Sequence, residues 1–108
     1  MANNISEIPG LVEPSDVLNK VKDWVRLLRQ RRAWKQSELA RRSGVPATTI
    51  SRLERTGLSS TETLFRVLFA LDELNGLDAF LKEQLRRTRV FAGETPLRKR
   101  IRSGGRLS

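Results

Sequence analysis

Val17, Leu18, Val21, Trp24, Val25 and Leu28 recur at three- and four-residue intervals. That period places them on one stripe of a helix, with Lys20, Lys22, Asp23 and Arg26 mostly off it. Pro9, Gly10 and Pro14 punctuate the stretch before, which predicts an irregular arm over residues 1–14, an N-cap at Ser15 and a helix to about Arg32. A second helix fits Gln36 to Ser43 with Leu39 and Ala40 inward. Gly44 follows it, where a positive φ is often needed. Pro46 suits the first turn of a third helix, which runs to about Arg55, because its missing N–H would be unpaired there in any case. Residues 44–46 therefore separate two short helices, the spacing of a helix-turn-helix.

"SSTE", Ser59 to Glu62, reads as a capping box that opens a fourth helix carrying Leu64, Phe65, Val67, Leu68 and Leu71. Gly76 breaks the pattern, and Leu77, Phe80, Leu81 and Leu85 make a fifth amphipathic helix. From Arg86 onward Gly, Ser and Arg dominate. The short alternation of Thr88, Val90 and Ala92 against Arg89 and Phe91 would be a strand only if something pairs with it. The expectation is an all-α fold in three parts: an arm over 1–14, a compact five-helix domain over 15–87 for DNA binding and dimerisation, and a flexible, disordered basic tail over 88–108.

Charge sharpens this picture. The chain of 108 residues carries 21 Lys plus Arg against 12 Asp plus Glu, a net +9, and that excess points to a polyanion, with nucleic acid favoured over an anionic membrane surface. Its distribution is uneven: +2 over residues 1–34, +3 over 35–57, −3 over 58–85 and +7 over 86–108. The acidic stretch is expected to face away from nucleic acid. Without Cys or His, the chain lacks thiol nucleophiles, disulfides, imidazole chemistry and the usual zinc ligands, so no enzyme activity, metal or cofactor is expected. The longest apolar run, Val67 to Leu71, is far too short to span a membrane, and "MANNISEIPG" has no signal-peptide pattern. A cytoplasmic, nucleoid-associated protein is expected.

"KQSELARRSGVPATTISRLER" resembles the helix-turn-helix of the phage-repressor family, the Cro, lambda-repressor and xenobiotic-response-element type. The matching residues are Gln36, Glu38-Leu39-Ala40, Gly44-Val45, Thr49-Ile50-Ser51 and Leu53-Glu54, and the resemblance extends over about Asp16 to Leu74. Within that family the chain is most similar to HipB-type antitoxins, through Pro14 to Asp16, the link "ERTGLSSTETLFRVLFAL" and the basic "RKRIR" at Arg98 to Arg102. The resemblance implies a lambda-repressor-like domain, an autoregulating repressor of a toxin-antitoxin operon and a HipA-like kinase as partner. The alternative is a phage or mobile-element repressor without a toxin partner. Where the family usually has Gly, Leu and Thr before the helix 2 Gln, this chain has Ala33, Trp34 and Lys35, so the stop of helix 1 lacks its Gly and helix 2 lacks its hydroxyl cap.

The resemblance also assigns candidate DNA contacts. Pro46, Ala47, Thr48, Ser51 and Arg52 would face base edges. Of these, Arg52 alone can pair bidentately with guanine, while Ala47 and Thr48 can touch the thymine methyl or simply be an exposed helix start. Gln36 matches the backbone clamp at the positive end of helix 2, Lys35 would face phosphate, and Ser60 is a weaker phosphate candidate. Thr49 is expected to pack locally, Trp34 to sit in the core, and Arg29 to pair with Glu54 as scaffold. Phe65, Leu68, Phe69, Leu71, Leu77, Phe80 and Leu81 offer more apolar surface than one small unit can bury, which points to a homodimer on an inverted-repeat operator in double-stranded DNA. The tail would lie on DNA, dock on a toxin or stay solvated.

Overall fold

The computed structural model describes residues 10–93. Five helices follow one another: α1 (Pro14–Arg31), α2 (Gln36–Ser43), α3 (Ala47–Thr56), α4 (Thr61–Ala70) and α5 (Leu74–Phe91). The fold is all-α. The chain divides into two units, one up to Leu74 and one from Asn75 onward. The calls on residues 1–9 and 94–108, which include the "RKRIR" motif, lie outside the described residues.

The first unit is built around side chains drawn from four helices and one turn. Val25 and Leu28 of α1, Leu39 of α2, Val45, Ile50 and Leu53 of α3, and Val67, Leu68 and Leu71 at α4 and its end are buried. Fully burying a side chain of this kind contributes roughly 1.5–3 kcal/mol. The predicted stripe of α1 is wider than the part it buries. Val25 and Leu28 face inward and Val21 packs against them, while Val17 and Trp24 remain exposed.

Helix ends account for most departures from the sequence reading. α1 starts one residue before the expected Ser15 cap because Pro14 takes the first helical position and the Asp16 carboxylate accepts the Glu13 N–H at 2.9 Å. Pro46 is the N-cap of α3 rather than part of its first turn. The cap of α4 is Ser60, not Ser59: its Oγ accepts the Thr63 N–H at 3.0 Å. Gly76 does not interrupt α5, which also runs through Thr88 and Val90 to Phe91, so the strand pattern there is not realised.

The turns after α1, α2, α3 and α4 each leave the helix through the left-handed region. Gly44 and Gly57 do so without a side chain, Ala33 and Asp72 with one. After α1, Ala33 N–H returns to Gln30 O and Trp34 N–H to Arg29 O, and after α4 Asp72 and Glu73 repeat the arrangement onto Phe69 and Leu68. At Gly57 a Cβ would stand 2.3 Å from the Leu18 carbonyl oxygen. Glycine there lets α3 end directly against α1. Arg32 links the remaining ends by donating to Leu71 O at 2.9 Å, the last turn of α4.

Candidate nucleic-acid interface

α3 has two unlike sides. Ile50 and Leu53 point into the core, while Pro46, Ala47, Thr48 and Arg52 are exposed and Ser51 is half-buried. Residues 47, 48, 51 and 52 follow the i, i+4 spacing that puts them on one face. Thr49 is half-buried, and its backbone N–H donates to Pro46 O at 3.0 Å.

A buried carboxylate sets the attitude of this helix. Glu54 Oε2 accepts Arg29 Nε at 2.6 Å, and Oε1 accepts both Arg29 Nη2 at 2.8 Å and Gln36 Nε2 at 3.1 Å. Arg29 Nη1 adds a bond to Trp34 O at 2.7 Å. One carboxylate thus ties α1, α2 and α3 together, with side-chain exposures of 12% for Arg29 and 4% for Glu54. The hydrogen bond to Glu54 raises the Arg29 pKa above its ordinary value against the opposing effect of burial, so the guanidinium stays charged. Gln36 is thereby oriented, with its second amide proton and its carbonyl uncommitted.

The other candidates surround that assembly. Lys35 is the N-cap of α2, exposed and without a side-chain cap bond, as the missing hydroxyl predicts. Ser60 is exposed, but its hydroxyl is occupied in capping α4 and in a 2.9 Å bond to Thr63 Oγ1. Trp34 is half-buried against the core rather than enclosed by it, with Arg32 and Arg42 over its ring at 5.2 and 4.4 Å from the centroid. These stacked cations cover the indole as aliphatic side chains would.

Ion pairing separates committed from uncommitted cations. Glu38 holds Arg41 and Arg42, which depress its pKa, and Glu62 holds Arg66. Lys35, Arg52 and Arg55 have no carboxylate partner among the described residues. Arg55 escaped the sequence reading because it was taken as the helix end. Its signal was the spacing of four from Ser51 and three from Arg52, which returns it to the exposed face of α3. A shallow opening beside that face brings Arg55 together with Lys22, Arg26, Arg29, Gln36, Ser51 and Glu54.

Residues 25–74 match the helix-turn-helix family. In this segment the chain is similar to helix-turn-helix domains of the Cro/C1 type. The match begins within α1 and ends at Leu74, where the first unit ends. Searches of the curated proteins and of the solved structures found no match. Helix-turn-helix domains of this kind are DNA-binding regulatory domains, and the matched residues contain α2 and α3 at the positions of the paired helices. No helix among the described residues is long and apolar enough to cross a membrane.

Proposed function

We propose that the protein is a sequence-specific repressor that binds an inverted-repeat operator as a two-fold homodimer, each copy laying α3 in one of two successive major grooves. The observation that carries this reading is the outer face of α3, exposed and free of internal ion pairs on a helix whose inner side is locked by Ile50, Leu53 and Glu54. Arg52 pairs with a guanine edge, Ala47 and Thr48 meet thymine methyl groups from a helix start at Pro46, and Ser51 bonds a base edge. Gln36, Lys35 and Arg55 hold phosphates, with Ser60 marking a further helix start beside the backbone. Such contacts normally take roughly half to two-thirds of protein–DNA hydrogen bonds.

The finer assignment is a HipB-like antitoxin that represses its own operon and binds a HipA-like kinase. It is supported by the similarity at Pro14 to Asp16, now the first turn of α1 with its Asp16 cap. A kinase reading frame beside the gene favours this assignment, and a phage integrase there favours the phage or mobile-element repressor. The test of readout is a binding-site selection. Arg52→Ala is expected to lower discrimination at one base pair per half-site by about 1–3 kcal/mol, and Gln36→Ala to weaken all sequences alike. Unchanged base preferences in Arg52→Ala would remove Arg52 from the readout.

A further inference from the structure

Asn19 in α1 and Asn75 in α5 are both exposed, and neither side-chain amide makes a hydrogen bond among the described residues. Their backbone settings differ. Asn19 lies inside α1, where the N–H of the next residue, Lys20, is tied into the helical ladder. Asn75 is the second residue of α5 and Gly76 the third, so the Gly76 N–H is one of the donors that a helix start leaves without a partner. No turn or cap bond takes it up among the described residues. A Cβ at Gly76 would meet nothing within 4 Å, so the space beside that nitrogen is open.

An asparagine amide next to such a nitrogen is a self-reacting pair. Once hydroxide removes its proton, the Gly76 nitrogen attacks Cγ of Asn75. A C–N bond closes a five-membered succinimide, and the side-chain nitrogen leaves as ammonia. Water then opens the ring at either carbonyl, giving aspartate or isoaspartate at position 75. One water is consumed, one ammonia is released, and nothing is oxidised or reduced. Three features of the site favour the attack. Helix ends open more readily than helix interiors. Glycine is a poor helix former that reaches backbone angles closed to other residues, which lets the nitrogen swing toward Cγ. The positive end of the helix dipole favours the deprotonated nitrogen.

We infer that Asn75–Gly76 is a self-modifying site, converting without an enzyme to aspartate and isoaspartate in the native protein while Asn19 stays intact. The inference does not rest on the repressor reading. The aspartate product places a carboxylate in a first turn that has none, where the dipole favours it. The isoaspartate product runs the main chain through Cβ and adds a backbone atom at the point where the second unit begins. Aged protein therefore becomes a mixture at the start of α5, while the sequence of the matched segment, residues 25–74, is unchanged.

The test holds the full-length protein at mildly acidic and at mildly alkaline pH, with circular dichroism to verify that it stays folded. Conversion is followed by peptide mass spectrometry, and isoaspartate by labelling with an isoaspartyl methyltransferase. The peptide containing Asn75 is expected to convert and to carry the label, faster at the higher pH, while the peptide containing Asn19 does not. Gly76→Ala is expected to slow conversion at least about fivefold through its higher helix propensity alone. Conversion of Asn75 no faster than that of Asn19 in the folded protein would overturn the proposal. An unchanged rate in Gly76→Ala would overturn it as well, since the reaction would then not depend on the glycine.

Discussion

The two units of the chain use apolar side chains in opposite ways. Up to Leu74 the helices are short, yet seven large side chains are completely enclosed and an ion pair is taken inside with them. From Asn75 onward the helix is as long as α1 and encloses nothing. Hydrophobicity at helical spacing therefore does not by itself tell a core face from an exposed one. The first unit closes its faces on one another because its turns reverse the chain within a few residues, whereas α5 runs for 18 residues without one.

Substitutions can break or sharpen that contrast. The largest effect is expected from Glu54→Ala, which leaves Arg29 buried without its counter-charge and should cost about 3–5 kcal/mol in urea unfolding. Unchanged stability would mean that the ion pair does not hold the first unit together. Gly57→Ala follows. The left-handed backbone and the approach to Leu18 O together should cost about 2–4 kcal/mol, read as a lower thermal midpoint. Ala33→Gly acts in the opposite direction, since Ala33 already sits at φ 59°. It should stabilise the first unit by about 0.5–1 kcal/mol, and a loss of stability would show that the left-handed turn is not strained. Smallest is Phe80→Ser in α5, expected to change unfolding by no more than about 0.5 kcal/mol at high dilution. The same variant should weaken dimers at higher concentration, so an equal loss at every dilution would place Phe80 in a core.

What was legible in the sequence follows the reach of each signal. α2 was read to the residue because its boundaries are local: Gln36 opens it and Gly44 closes it at a backbone angle few other residues tolerate. The cap of α4 was misplaced by one because Ser59 and Ser60 stand side by side, each with a suitable residue three positions on. Only the bond to the Thr63 N–H decides between them. The far end of α5 was obscured by Thr88 and Val90, whose side chains suit a strand. A strand needs a neighbour, whereas the helix supports its own surface through the Glu83 and Arg86 pair. Gly76 was weighted too heavily as a breaker, since one glycine in a helix costs only about 1 kcal/mol. In the interface the family pattern supplied the face of α3 and the Arg29–Glu54 pair. It did not show that Gln36 joins the same carboxylate, because that bond depends on a contact between residues 18 positions apart.

The Glu54 assembly also separates two responses to ionic strength. Contacts between exposed cations and phosphates release counterions and weaken steeply as salt rises. An ion pair enclosed by three helices is screened far less. Salt that strips the protein from DNA therefore leaves α3 held at the same angle. The freed domain keeps its DNA-reading shape, and dilution back to low salt restores binding without a refolding step.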